Sequence, residues 1–281
     1  MPELPEVETV ARGLRDPLMG RTITGATANW PPTIVFPALD QFRDRIAGRQ
    51  VESVGRRAKY VVIGLDQGVL LIHLMMSGRL NVVQASEPLG KHTHTYLDLD
   101  DGRQLRFHDV RKFGRVYLVE QASQVTAKLG PEPLDEGFTP ELFRRQLVRR
   151  SGRLKSLLLD QTFVAGLGNI YADESLFAAK LHPLQKANTL SEEEETRLHG
   201  AIRTVLRRAV EARGTTLADQ GYVDANGQAG AYQTKIAVYG RGGEPCLSCK
   251  ASIERIIVGG RSTHFCPQCQ KGCCAPRTPV V

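Results

Sequence analysis

Hydrophobic positions along the chain change their period twice, and those changes divide it into regions. Residues 3–15 carry apolar side chains at helical spacing. Pro5 suits a first turn, and Glu3, Glu6 and Glu8 lie where a helix dipole favours anions, so a leading helix is expected there. From about 22 to 119 the pattern shifts to short runs rich in β-branched and aromatic residues: Val51–Val54, Tyr60–Leu65, Val69–Leu74, Thr95–Leu99, Gln104–Phe107 and Val116–Val119. Asp66-Gln67-Gly68 and Asp100-Asp101-Gly102 fall between such runs and read as hairpin turns. The expectation is an α+β chain that begins with a two-layer β-sandwich and its leading helix.

Gly130-Pro131-Glu132-Pro133 marks residues 121–137 as a linker into a helical region over 138–234. Its clearest helix runs from Ser191 to Arg213. Ser191 and Glu194 form a capping box, Leu198, Ile202, Val205, Leu206, Ala209 and Val210 make one apolar stripe, and Gly214 supplies a stop. Residues 217–235 are rich in Gly, Ala, Gln and Asp without periodicity and read as a mobile loop. A cysteine-bearing segment, 235–271, and a tail, 272–281, complete the chain.

Of the 281 residues 41% are hydrophobic, enough for a real core, and no apolar run approaches the roughly 18 residues that span a bilayer. The first ten residues hold three Glu and no Lys or Arg, unlike a secretory leader, so a cytoplasmic protein with reduced thiols and no membrane partner is expected. A net charge of +7 points to a polyanionic partner. Residues 235–281 hold seven Lys or Arg against two Glu, and Arg144 to Lys155 hold six basic residues and no acid. Either patch alone is equally a solvated surface; together they favour nucleic acid.

Cys246-x₂-Cys249 and Cys266-x₂-Cys269, sixteen residues apart, have the spacing of a zinc ribbon. Four thiolates leave no coordination position open, so one structural Zn²⁺ is expected, with Ile253–Val258 and Gly259-Gly260 forming part of a hairpin between the pairs. Cys273 and Cys274 fall outside this spacing. At the other end, removal of Met1 would expose the secondary amine of Pro2 beside Glu3. An α-amine titrates at about 7.7–8.0, against about 10.4 for lysine, and so offers far more free base near neutrality. Such an amine could attack a sugar C1′, expel a base and leave a covalent iminium, with Glu3 moving a proton. On chemistry alone these two residues read first as a helix start.

Together with the opening MPELPEVETV, four further stretches resemble the formamidopyrimidine-DNA glycosylase family, in that family's order: Arg57-Ala58-Lys59-Tyr60, His73-Leu74-Met75-Met76-Ser77-Gly78, Gly166-Leu167-Gly168-Asn169-Ile170-Tyr171 and Val238-Tyr239-Gly240-Arg241, followed by the Cys₄ finger. The resemblance implies a helix–two-turn–helix element around Gly166–Asn169 and a bifunctional glycosylase/AP lyase acting as a monomer on damaged double-stranded DNA. It implies Pro2 as the Schiff-base nucleophile, Glu3 in proton transfer, Glu6 in support, Lys59 as a phosphate contact and acid for β-elimination, and Arg261 in δ-elimination. Met76, Arg111 and Phe113 match the residues that fill the gap left by a flipped base. His92, Arg150 and Asn169 match DNA contacts, and Lys155 a basic position near the lesion. Ala231 and Tyr232 stand where Tyr and Phe are more usual, which loosens the lesion assignment. Two alternatives stay open: an enzyme resembling endonuclease VIII, which prefers oxidised pyrimidines, and a non-catalytic zinc-ribbon DNA-binding protein.

Overall fold

A computed structural model describes residues 1–217 and 221–271, in two compact units. Met1–Lys128 and Ala209–Gln233 form the first; Leu129–Arg208 and the chain from Thr234 onward form the second. Cys273 and Cys274 lie outside the described residues.

The first unit opens with helix α1 (Leu4–Leu18), whose Leu4, Val7, Ala11, Leu14 and Leu18 recur at three- and four-residue steps and are all buried. Strands β1 (Thr22–Ala28) and β2 (Ile34–Phe36), the short helix α2 (Leu39–Ile46), and strands β3 (Arg49–Arg57), β4 (Tyr60–Leu65), β5 (Val69–His73), β6 (Gly78–Gln84), β7 (Thr93–Leu99), β8 (Arg103–Asp109) and β9 (Arg115–Val119) follow, and helix α3 (Ser123–Thr126) ends the run. The strands hydrogen-bond in the order β2-β9-β5-β4-β3-β1-β7-β8-β6. The link at β3–β1 is only two residue pairs long, Thr22↔Gln50 and Ile23↔Arg49. Five strands on one side of that link and four on the other therefore fold into the two layers of a sandwich. Leu70, Ile72 and Val116 of one layer share a core with Leu80, Leu97, Leu105 and Phe107 of the other. Both predicted turns are present: β4–β5 and β7–β8 are antiparallel, with Gly68 and Gly102 at positive φ.

Gly78 is required by packing. A Cβ there would lie 2.4 Å from the Leu74 carbonyl oxygen and 2.6 Å from the Phe107 ring, whereas at Gly55 it would meet nothing within 4 Å. Gly78→Ala is expected to cost about 1–3 kcal/mol, the usual penalty for overpacking, and Gly55→Ala far less. Urea midpoints of the two variants check this, and equal midpoints would remove the packing account.

Residues 209–233 depart from expectation. The sequence pattern groups them with the helical region over 138–234 and reads 217–235 as a mobile loop, yet their described part packs into the first unit. Tyr222 and Ala225 join its core. Tyr222 Oη donates to the Arg213 carbonyl at 3.1 Å. The Asp224 carboxylate accepts from the amides of Asn226 and Gln228, both at 2.9 Å, and pairs with Arg213.

The second unit holds α4 (Pro140–Leu147), α5 (Leu154–Leu159), α6 (Asn169–Ala178) and most of α7 (Glu192–Glu211). Thr139 caps α4, accepting from the Leu142 amide at 3.2 Å. The predicted capping box of α7 is formed: Ser191 N donates to Glu194 Oε2 at 2.9 Å, and Glu194 N to Ser191 Oγ at 3.2 Å. Strands β10 (Glu254–Val258) and β11 (Arg261–Phe265) make the finger hairpin around Gly259-Gly260, both at positive φ. No helix among the described residues is long and apolar enough to cross a membrane.

Candidate active site and zinc centre

In the first unit Met1 is exposed, while Pro2, Glu3 and Glu6 behind it are all buried. Glu6 fixes this start. Its Oε2 accepts from the Glu3 amide at 2.8 Å and its Oε1 from the Thr215 amide at 2.7 Å. One carboxylate thus ties the first turn of α1 to the segment that follows α7. Gly214 is suited to this contact by its φ of +80°, and a Cβ there would fall 2.7 Å from Glu6 Oε1. Met1 acylates the Pro2 nitrogen here, which represents the blocked form of that amine.

Lys59 is buried at 6% exposure, in the turn from β3 to β4, where Ala58 adopts a φ of +51°. Its charge is felt by His73: burial first, then the Lys59 ammonium, lowers the His73 pKa to about 4. A neutral ring agrees with the geometry, because His73 Nδ1 accepts from the Met75 amide at 3.0 Å. Between about pH 6.5 and 4 the unfolded chain binds this proton and the folded chain does not. The His73 contribution to stability is therefore complete above 6.5 and declines as pH falls toward 4. His73→Asn, which keeps an acceptor without titrating, is expected to flatten that part of the pH–stability curve; an unchanged slope would exclude His73 as its source.

The three proposed gap-filling residues stand on two neighbouring turns. Met76 is 39% exposed and Phe113 is 41% exposed, so neither is a core residue. The Arg111 guanidinium lies 4.9 Å from the Phe113 ring centroid. Sequence reasoning missed the residue that joins the turns. Buried Asp109 accepts from Ser77 Oγ at 2.5 Å, from the Arg111 amide at 3.2 Å and from the Gly114 amide at 2.7 Å. An Asp two residues before Arg111 is an Asx-turn signal that could have identified it. His92 stacks edge-on against His108 at 5.6 Å and His94 at 6.2 Å.

In the second unit, Arg261 is exposed at the start of β11, opposite Val258. Arg150 is exposed after α4, 3.7 Å from Asp160. Asn169 begins α6, and its Nδ2 donates to the Ser262 carbonyl at 2.9 Å, so its amide is engaged by the finger. Lys155, expected at a basic position near the lesion, is enclosed within the second unit. It is 0% exposed, its Nζ donating to Asp173 Oδ1 at 2.7 Å and to the Asn169 carbonyl at 3.0 Å. A charge so enclosed is stabilised by its internal partners.

The four Sγ atoms of Cys246, Cys249, Cys266 and Cys269 lie within 4.8 Å of one another. The Cys249–Cys266 and Cys246–Cys269 separations are 3.4 and 3.9 Å. Tetrahedral zinc with Zn–S bonds of about 2.3 Å places its sulfurs about 3.8 Å apart, so the residues fit a single structural Zn²⁺.

A β-sandwich in which Pro2 and Glu3 are buried, a helical unit and a Cys₄ hairpin together define a zinc-finger protein of α+β class. Family models agree with it along the chain: the formamidopyrimidine-DNA glycosylase N-terminal domain over residues 1–116, the formamidopyrimidine-DNA glycosylase H2TH domain over 129–220, and a zinc finger found in FPG and IleRS over 243–272. The formamidopyrimidine-DNA glycosylase of Herpetosiphon aurantiacus is 49% identical over 96% of this chain and 100% of its own length. The MutM (FPG) protein of Thermus thermophilus is 44% identical, with a TM-score of 0.87 over 96% of this chain and 98% of that one. A mutant FPG of Lactococcus lactis, solved in complex with DNA containing Fapy-dG, is 37% identical, with a TM-score of 0.89 over 96% of this chain and 100% of that one. The chain belongs to the formamidopyrimidine-DNA glycosylase family.

Proposed function

We propose that this protein is a bifunctional DNA glycosylase/AP lyase of base excision repair that releases oxidised purines, chiefly formamidopyrimidines and 8-oxoguanine, from duplex DNA. The observation that carries this reading is the near-full-length family match, and the resemblance of the motifs assigns the chemistry to Pro2, Glu3, Lys59 and Arg261. It acts as a cytoplasmic monomer, and its partner is damaged double-stranded DNA.

The free Pro2 amine attacks C1′ of the damaged nucleotide, the glycosidic bond breaks, and the base leaves with a proton. Glu3 moves protons to the opening sugar or the leaving base. Loss of a C2′ proton from the iminium expels the 3′ phosphate, with Lys59 as acid. Loss of the C4′ proton then expels the 5′ phosphate, assisted by Arg261, and leaves a one-nucleotide gap. Zinc, when bound, gives the finger its structure and supplies no chemistry to the substrate. Glu6 holds the Glu3 amide and so the direction of the N-terminal turn.

Met76, Arg111 and Phe113 fill the stack vacated by the flipped base. Two exposed apolar side chains and a cation, on turns joined through Asp109, support that role. Met76→Ala is expected to slow duplex cleavage about tenfold, the order of a few lost apolar contacts, while leaving an abasic single strand much less affected. Equal losses on both substrates would assign Met76 to folding instead. His92, Arg150 and the α6 N-terminus at Asn169 are assigned to the DNA backbone.

A lesion panel tests the function. Faster release of formamidopyrimidine and 8-oxoguanine than of oxidised pyrimidines is expected; the opposite order would favour the endonuclease VIII-like reading, and binding without any nicking the non-catalytic one.

A further inference from the structure

Three side chains of α6 reach the cysteine-bearing segment of the second unit. Asn169 donates to the Ser262 carbonyl at 2.9 Å, and Glu174 accepts from the amides of Ala237, Val238 and Tyr239, all at 2.9 Å. The third is Asp173, whose side chain is 0% exposed. Its Oδ2 accepts from the His264 amide at 2.9 Å and lies 3.4 Å from His264 Nδ1. Its Oδ1 accepts from Lys155 Nζ at 2.7 Å. Lys155 in turn holds the Asn169 carbonyl, at the first residue of the helix that carries Asp173.

His264 stands three residues after Arg261 on β11, a five-residue strand. A strand advances about 3.3 Å per residue and alternates its faces, so a carboxylate that fixes the His264 amide fixes the course and roll of the short strand bearing Arg261. An ion pair without solvent contact is weak in net stability against apolar residues of the same volume, because both ions lose hydration. What it adds over apolar packing is direction: Asp173 has one oxygen for Lys155 and one for the hairpin, and each fixes the aim of the other.

We propose that Asp173, oriented by Lys155, is a positioning residue for Arg261, setting the finger hairpin for the δ-elimination step. The proposal rests on the reading of Arg261 given above. It also gives the basic residue at 155 a role without contact with the lesion: its charge acts through Asp173.

The test uses zinc-loaded full-length protein on a duplex with a pre-formed abasic site, reading the ratio of δ- to β-elimination product. Asp173→Asn removes the charge but strands Lys155. The double variant Lys155→Met with Asp173→Leu removes both ions, a replacement that buried pairs commonly tolerate. In both, zinc content and borohydride trapping at the amino terminus are expected to stay as in the parent. The δ:β ratio should fall at least about tenfold, the scale seen when residues orienting a functional group are removed, with the unsaturated aldehyde β-product accumulating. A parental ratio in the double variant overturns the proposal. Arg261→Ala, run alongside, separates the two claims. Persistent δ-product there removes the Arg261 assignment and this proposal with it. δ-Product lost in Arg261→Ala but intact in the double variant overturns the positioning role alone.

Discussion

Protein in which Met1 is retained, leaving the Pro2 nitrogen acylated, is expected to lose strand nicking by at least about 10³-fold, the scale of removing a covalent nucleophile, while its duplex affinity changes only a fewfold. An amide nitrogen has no lone pair to give to C1′, so the block acts on the chemical step itself. The rest of the local geometry does not depend on Met1. Glu6 still accepts from the amides of Glu3 and Thr215, and α1 still buries Leu4 and Val7. Binding should survive for that reason. Mass spectrometry defines the state of the terminus, and nicking of an abasic duplex with anisotropy on the same samples separates chemistry from affinity. Full nicking by Met1-retaining protein would move the nucleophile to another amine.

Removing zinc is expected to unfold the finger while sparing the sandwich. Among the described residues the hydrophobic cluster there is small, with Val238, Cys246, Ile253 and Cys266 as its four buried members and Phe177, Ala251 and Cys269 packed against them. Two of the four buried members are themselves ligands, so without metal the segment keeps almost no core of its own. Zinc binding contributes about 10–16 kcal/mol in isolated finger peptides, more than such a cluster can replace. Hydrogen bonds from Asn169 and Asp173 to β11 presuppose the hairpin and do not substitute for it. Chelated protein should show fast amide exchange over 254–265 and unchanged protection in α1 and β4. Duplex affinity should fall at least about tenfold at physiological salt if, as proposed, the finger presents Arg261 and its basic neighbours to the DNA. Undiminished affinity in protein demonstrably free of metal would contradict this coupling.

Local signals make much of the fold legible. The apolar steps of α1, the turns at Gly68 and Gly102, the Ser191–Glu194 box and the cysteine spacing each lie within a few residues of sequence, and each is present. Helix α2 leaves no such signal, because eight residues with only Phe42 and Ile46 buried give too little periodicity. Strand β2 is three residues long and pairs in parallel with β9, some eighty residues away. The placement of 209–233 rests on contacts such as Thr215 to Glu6, between residues 209 positions apart, and no window of sequence holds both partners. Met76 and Phe113 carry no local mark of whether they face core or solvent; only the turns on which they stand decide it. The burial of Lys155 leaves no local mark either. This lysine ends a run of basic residues that reads as surface, and only the three-dimensional approach of Asp173 encloses it.

The central claim is that the mature Pro2 amine is the nucleophile, and borohydride trapping on an 8-oxoguanine:cytosine duplex with peptide mapping of the crosslink tests it most directly. The account predicts a single covalent adduct on the N-terminal peptide at Pro2. An adduct at Lys59 or another amine, or none with processed, zinc-loaded protein that binds and nicks the duplex, would contradict it.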